Sequence, residues 1–359
     1  MPVGSRYTAP GPAHTVRETA TGRWLVLGKD GRLTAYALGA EGLLRWTETR
    51  PGGPGWTGPE PIPVAGLTHL TVVQGHHGFV HFVGRRTRQD GTGPAVADLV
   101  SATQFQTGRP LTEWRSLGTP DKDPAAGLGL PTAAVTGSGL VHVLVRGAGG
   151  GLFLRAEGPG GKWEGWQDLR LRRTRDGAAA VTTASGRIEV LVPGQGVTHR
   201  LVHAPSDGAY RQDHDIPFAH APGTATALET AQDRVTYYWT DEGMGTLVAY
   251  RPGTWSIPLG GAAAAGPVAA LRTLLDGYDC TVLAHRAHDG QLLLTACATE
   301  NESGGLWWSP TGDQCAGTPA LAHDAYGRVV LAFVGTDGAL HVARRADGPS
   351  FAMEPSVRV

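Results

Sequence analysis

A phrase of about twenty residues recurs seven times along the chain of 359 residues. Each copy has a short apolar run, a turn rich in glycine, and a second apolar run. Clear copies begin at Gly31, Gly139, Gly186 and Gly327, and weaker copies begin at residues 78, 233 and 279. Successive copies start 46–48 residues apart, except for a spacing of 61 between the second and the third. Such a regular period is typical of a repeat protein in which each copy is one structural unit.

Each copy contains more than this hairpin. Short segments rich in small residues precede it, at 131–136, 178–183, 267–273 and 319–324. A segment marked by an aromatic residue follows it, usually a tryptophan. No stretch keeps a helical period over the dozen residues that a helix needs, and glycine and proline interrupt the chain every few residues. The unit is therefore predicted to be four short strands.

Seven four-stranded units predict an all-β protein, a single-domain seven-bladed β-propeller of four-stranded antiparallel blades. The uninterrupted apolar runs Val141–Val145 and Val329–Val334 fit strands that are buried on both faces between neighbouring blades. The domain is predicted to span 1–359. The blades are expected at roughly 21–66, 67–120, 121–171, 172–218, 219–261, 262–312 and 313–359, and 1–20 is expected to be an N-terminal extension or closing strand.

Two features of the ring are left open by the sequence. The last outer strand could come from 351–359, or residues 13–18 could pair there or cap the ring. The long spacing between copies two and three maps to 85–98, which is expected to be an enlarged hairpin loop. A closed ring has few exposed strand edges, so a monomer is expected.

Composition limits the function classes. The formal net charge is −1, which argues against nucleic acid or an anionic membrane as the main partner. No apolar run approaches the 18 residues of a transmembrane helix, and the first residues lack the apolar core of a signal peptide, so a cytoplasmic location is expected. Cys280 and Cys297 lie at equal distances from the turn at 287–290 and are predicted to face each other, most simply as free thiols.

The third copy resembles a known family. The hairpin GLVHVLVRGAGGGLFLRA with the following GGKWEGWQDL, together 139–169, is similar to the repeat of PLL-like bacterial lectins, which are seven-bladed propellers of the tachylectin-like kind. The seventh copy matches in its hairpin, and the first and second match in fragments. This resemblance implies glycan binding, often of fucose or methylated sugars, in shallow pockets between adjacent blades. No single binding motif recurs intact in all seven copies.

Aromatic side chains are the first candidates for a ligand site, because their faces stack on sugar rings and the indole N–H can donate a hydrogen bond. The candidates are Trp46, Trp163, Trp166, Trp307 and Trp308. The competing interpretation is that most of these tryptophans pack blade against blade. Adjacent residues of a strand point to opposite faces, so at most one of Trp307 and Trp308 is expected to pack on a given side.

Charged residues of the innermost strands form a second candidate site, at the mouth of the central channel. Glu229, Arg272, His323 and Asp324 come from neighbouring copies and could supply an acid, a base and an anion-binding group. The interpretation that we favour is a channel lining whose charges pair with one another, because insertions and deletions blur the register of these residues. His81, His142 and Glu189 hold equivalent places in consecutive copies, but equivalent side chains do not converge on one ion, so no metal site and no cofactor are predicted.

Three functions remain open at this level. The leading hypothesis is non-catalytic binding of a glycan or small glycoside by aromatic pockets between blades. A protein-interaction scaffold and an enzyme of specialised metabolism with its site at the channel mouth are the alternatives, since propellers host all three.

Overall fold

The computed structural model describes residues 15–89, 95–121, 127–204, 208–261, 264–348 and 351–359. These residues form seven small sheets, four of them four-stranded and three five-stranded. Within the sheets, consecutive strands pair in antiparallel fashion, and neighbouring sheets contact one another in succession until the seventh meets the first. The predicted seven-bladed β-propeller is therefore confirmed.

The elements, in chain order, have the following bounds. The N-terminal segment carries β1 (Glu18–Thr19) and β2 (Thr21–Gly22). Blade one has β3 (Leu25–Leu27), β4 (Leu33–Leu38), β5 (Gly42–Glu48) and β6 (Trp56–Pro63). Blade two has β7 (Leu67–Gln74), β8 (Val80–Arg88), β9 (Val96–Gln104) and β10 (Arg115–Gly118). Blade three has β11 (Thr132–Val135), β12 (Val141–Arg146), β13 (Leu152–Gly158), β14 (Lys162–Trp163) and β15 (Gln167–Asp168).

The second half continues the pattern. Blade four has β16 (Ala179–Thr182), β17 (Ile188–Pro193), β18 (Thr198–His203) and β19 (Tyr210–Gln212). Blade five has β20 (Thr226–Ala231), β21 (Arg234–Thr240), β22 (Leu247–Tyr250) and β23 (Ile257–Pro258). Blade six has β24 (Ala269–Leu275), β25 (Tyr278–Arg286), β26 (Gln291–Ala298), a 3-10 turn at Glu302–Gly304 and β27 (Ser309–Gln314). Blade seven has β28 (Ala320–His323), β29 (Val329–Val334), β30 (Leu340–Arg344) and β31 (Val357–Arg358).

The second strand of each blade lies at the centre of the core. Every residue of β4, β17 and β29 is buried, as the continuous apolar runs predict. Alternate side chains of these strands point toward the preceding and the following blade, so Tyr36 of blade one meets Phe82 of blade two edge to face, with ring centroids 4.8 Å apart. The apolar core is therefore made mainly between blades rather than within them.

The ring closes between blade seven and blade one. The outer strand of blade seven is β31, near the C-terminus, which pairs with β30. The N-terminal segment pairs instead with β4 through β1 and with β7 through β2. It also contacts blade seven, because the Val16 amide donates to the Gly338 carbonyl at 3.1 Å. Of the two possibilities left open by the sequence, the structure has 351–359 in the outer strand.

The segment 85–98 is not simply a loop. Strand β8 runs on to Arg88 and β9 begins at Val96, and the two pair over nine residues in continuous register. The extra length of this copy therefore extends a hairpin, because backbone pairing satisfies more polar groups than an open loop does. Residues 90–94, also within that prediction, lie outside the described residues. No helix among the described residues has the length and apolar character needed to cross a membrane.

Candidate functional site

A pocket of about 220 Å³ opens between blades two and three. Blade two supplies residues of β8 and β9 and the segment leading into β10, and blade three supplies residues of β12, β13 and β14. The aromatic parts of its wall are Phe82, which is buried, Trp163, which is half-buried, and Phe105, which is exposed. One of the tryptophans proposed from the sequence thus lines a pocket between blades.

Polar groups line the same pocket. They are His81, Ser101, Thr103, Thr112, Arg115 and Glu157. His81 is buried, and its Nδ1 lies 3.1 Å from the Thr103 hydroxyl. Burial lowers the pKa of His81 to about 4, so its imidazole is neutral at neutral pH. Hydrogen-bond donors and acceptors therefore surround an aromatic surface, which is the arrangement that a polyhydroxylated ligand needs.

The strand register explains why this junction is open. In blades one to four, one residue near the end of the third strand lies across from the first residue of the second strand. The cross-strand register gives Gln104 in blade two and His203 in blade four, and its continuation by one residue gives Glu48 in blade one and Glu157 in blade three. We call it the junction position, because in blades one, two and four its side chain meets the preceding blade.

Three of these junction positions contact a side chain of a neighbouring blade. Arg344 of blade seven donates to Glu48 at 2.6 Å, and Tyr36 of blade one donates to Gln104. At His203 the ring packs on His142 of blade three, with ring centroids 5.0 Å apart. At these three junctions, side chains of the two neighbouring blades touch. At the equivalent place between blades two and three there is a pocket instead.

At the junction between blades two and three, the matching residues of blade two are too short to make such a contact. The register places Val83 where blade one has Tyr36, and Thr103 where blade seven has Arg344. The carboxylate of Glu157 accepts one hydrogen bond, from the Val141 amide of its own blade at 3.3 Å. Its remaining hydrogen-bonding capacity faces the pocket that it lines.

The corresponding space between blades three and four is filled by a tyrosine. His142 is equivalent to His81, and Tyr210 is equivalent to Trp163 in strand register. The Tyr210 hydroxyl lies 3.0 Å from His142 Nδ1. Burial lowers the pKa of His142 to about 4, with a smaller contribution from His203. Tyr210 thus fills, between blades three and four, the space that remains open as a pocket between blades two and three.

The paired tryptophans separate into packing and exposed members. The indole N–H of Trp166 donates to the Leu117 carbonyl of blade two at 3.0 Å, and that of Trp308 donates to the Leu259 carbonyl of blade five at 3.0 Å. Both side chains fasten a blade to the preceding one. Trp307 is 88% exposed, and it precedes β27 rather than lying within the strand.

Trp46 does not lie at a ligand surface. The sequence makes it a candidate ligand contact, but the side chain is only 2% exposed and belongs to the core of blade one. Its backbone lies in β5 and is covered by the outer strand β6, where Gly58 approaches the indole ring closely. Because its side chain is buried, Trp46 cannot contact a ligand directly in this structure.

The four channel-mouth residues are held by separate partners. Glu229 accepts hydrogen bonds from the Ala184 and Asp233 amides, at 2.7 and 2.8 Å. Arg272 pairs with Asp279 at 2.7 Å. Among the described residues, no hydrogen bond joins two members of the proposed set.

Asp324 and His323, the other two residues of the set, also interact with nearby residues of their own blade. Asp324 is buried and pairs with Arg328 at 2.8 Å, closing the turn that follows β28. Burial lowers the pKa of His323, against an opposing effect of Asp324. This pattern fits a lining whose charges pair locally better than it fits a catalytic set.

The two cysteines of blade six do not face each other. Cys280 is opposite Ala298, and Cys297 is opposite Thr281, so the register is displaced by one residue from the prediction. Side chains one residue apart in register point to opposite faces of a sheet, and both thiols are free. Within the described ranges, no group of three or more His, Cys, Asp or Glu residues is placed to hold a metal ion.

Sequence reasoning missed most of the polar side of the pocket. It singled out Trp163, and it considered His81 only as a metal ligand, but it did not select Glu157, Arg115 or Phe105. One signal was present, because aligning the ends of the third strands places Glu48, Gln104 and Glu157 at one position. The alignment does not show which side chain of the adjacent blade each of these residues contacts.

Comparison with solved structures supports the propeller fold. The BP39L lectin from Burkholderia pseudomallei superimposes with a TM-score of 0.68 at 13% identity, covering 95% of this chain and 99% of that chain. The chain has the fold of this lectin. The resemblance to PLL-like propellers is thus confirmed at the level of architecture.

Other similar structures include a lectin and an enzyme. An Aleuria aurantia lectin, solved in complex with Fucα1-6GlcNAc, gives a TM-score of 0.50 at 13% identity, covering 82% of this chain and 97% of that chain. A polysaccharide lyase, an ulvan lyase, gives 0.59 at 10% identity, covering 95% and 96%. No protein-family model matches the chain, and no curated protein matches it. At these sequence identities the comparisons establish the fold. The activity has to be inferred from the site.

Proposed function

We propose that this protein is a carbohydrate-binding propeller that holds one sugar residue in the pocket between blades two and three and does not transform it. The observation that carries the proposal is the pocket itself, in which Trp163 stands beside His81, Arg115 and Glu157. An indole face provides a stacking surface for the C–H side of a sugar ring, while the polar groups orient its hydroxyls. The lectin neighbours of the same fold support this class of ligand.

Binding rather than catalysis is favoured by the state of the pocket histidine. A general acid or base works best when its pKa lies near the working pH. The pKa of His81 is near 4, and its Nδ1 is engaged by Thr103, so the imidazole is suited to hold a fixed hydrogen bond. Fewer than seven binding sites per chain are expected, because side chains of the protein make the contacts at the equivalent positions of three other junctions.

A glycan array followed by calorimetry tests the proposal. The expected result is saturable binding of a glycan with a stoichiometry of about one, weakened at least about 10-fold by Trp163→Ala, which corresponds to about 1.4 kcal/mol. Trp307→Ala is the matched control, since it removes an exposed indole outside the pocket. Equal losses in the two variants, or a blank array, would contradict the proposal. Release of new reducing ends or unsaturated sugars from a bound glycan would contradict the non-catalytic part.

A further inference from the structure

We infer that Glu157 makes the pocket selective for neutral sugar residues over acidic ones, an inference that rests on the proposed function. It follows from comparing Glu157 with the residues at the same junction position in the preceding two blades. Those residues, Glu48 and Gln104, each have a side-chain partner across the blade junction. Glu157 has none among the described residues, so on the pocket side its carboxylate is left to solvent or to a ligand.

The two oxygens of the Glu157 carboxylate have different surroundings. Oε2 accepts the hydrogen bond from the Val141 amide, which fixes the side chain against its own blade. Oε1 lies beside Gly161, where the backbone is left-handed (φ 75°) and a Cβ would come within 3.5 Å of that oxygen. Glycine at this turn therefore keeps the space next to Oε1 open, and Gly161 lines the pocket as well.

A carboxylate placed in this way accepts hydrogen bonds and cannot donate them. A sugar hydroxyl satisfies it, and a hydrogen bond to a charged acceptor is stronger than one between neutral groups. A uronate, sulfate or sialic acid carboxylate would instead bring a second negative charge to a half-buried one, and like charges across a binding site are a means of rejecting the wrong ligand.

Arg115 limits where an acidic group could still be accepted. It is the positively charged residue of the pocket wall, and it is exposed, whereas Glu157 is half-buried. Solvent screens an exposed charge more than a half-buried one, so the repulsion near Glu157 outweighs the attraction at Arg115 for a group held inside the pocket. Arg115 instead suits the lone pairs of sugar hydroxyls at the pocket mouth.

The experiment measures selectivity and not binding alone. An array of neutral, uronate-containing, sulfated and sialylated glycans is probed with the wild-type protein and with Glu157→Gln, and the methyl glycosides of galactose and glucose are compared with their uronic acid counterparts by calorimetry. Glutamine keeps an acceptor for the Val141 amide, and it is the residue that blade two carries at this position, so the fold is expected to tolerate it. Glu164→Gln is the control, because it removes the same charge from an exposed position in the same loop outside the pocket wall.

The expected result is that Glu157→Gln raises the ratio of acidic to neutral sugar affinity at least about 10-fold, while Glu164→Gln leaves it unchanged. Glu157→Ala should weaken neutral sugar binding about 10- to 100-fold, because a hydrogen bond to a charged group is lost. If neutral sugars bind in a way that depends on Trp163 but the ratio does not change in Glu157→Gln, the selectivity inference is wrong and the proposed function stands. If no glycan binds the wild-type protein, both are wrong.

Discussion

Replacing Arg344 with methionine should weaken the closure of the ring between blade seven and blade one. Glu48 is completely buried in blade one, and its main partner is the guanidinium of Arg344, whose Nη2 donates to Oε1 at 2.6 Å. The same Nη2 donates to the Gly53 carbonyl at 2.8 Å. Methionine retains most of the apolar stem of arginine and adapts to its packing, so the change removes chiefly the charge and these two hydrogen bonds.

The structure sets the size of the effect. Leaving one member of a buried ion pair without its partner costs about 3–5 kcal/mol. Glu48 keeps two other donors in Arg344→Met, the amides of Leu33 at 2.8 Å and Gly52 at 3.3 Å. These bonds continue to stabilise the carboxylate, so the lower end, a loss of about 3 kcal/mol in the free energy of unfolding, is expected.

Urea unfolding followed by tryptophan fluorescence measures this loss. Arg172→Met is the matched control: it also breaks an arginine–carboxylate pair, with Asp168 at 2.7 Å, but on the surface, where solvent screens the pair. Adding Glu48→Gln to Arg344→Met should restore part of the stability, because no buried charge then remains. The reasoning is refuted if Arg344→Met costs no more than Arg172→Met, or if the double variant is no more stable than Arg344→Met.

Two further predictions concern titratable groups in the core. Burial holds the pKa of His81 and of His142 at about 4 in the folded protein, against about 6.5 in the unfolded chain, so the unfolded chain takes up protons first as the pH falls. Stability should therefore be constant above about pH 6.5 and decrease between about pH 6.5 and 4, by up to about 3 kcal/mol for each histidine. Thermal unfolding across this range checks it, and an unchanged pH profile in His81→Gln with His142→Gln would contradict it. Burial also raises the pKa of Cys297 to about 12 and of Cys315 to about 11, so the native protein should react slowly with a thiol reagent near pH 8, and all three cysteines should react after unfolding. Rapid labelling of Cys297 in the folded protein, or fewer than three thiols after unfolding, would argue against these environments.

The candidate site could be predicted only in part from the sequence. Trp163 can be predicted as a ligand contact, because it lies in a recognisable motif and any exposed tryptophan can stack on a sugar ring. Trp46 carries the same chemistry, but it is buried by β6, and that burial depends on how one blade folds over itself. Cys280 and Cys297 are equidistant in sequence from the turn at 287–290, which predicts that they face each other. The register in the structure differs by one residue, so the two side chains point to opposite faces of the sheet.

By itself, the sequence determined the repeat, the four-strand unit, the number of blades and hence the closed all-β ring. These follow from local patterning, because a strand of continuous apolar residues repeated at a nearly regular spacing can be buried only by stacking unit on unit. Only the tertiary structure decided that the junction between blades two and three stays open. The side chain that fills a junction comes from the neighbouring blade, as Arg344, Tyr36 and Tyr210 do, and its reach depends on register and side-chain length across two units. Val83 and Thr103 do not reach across the space between blades two and three, and the pocket lies there.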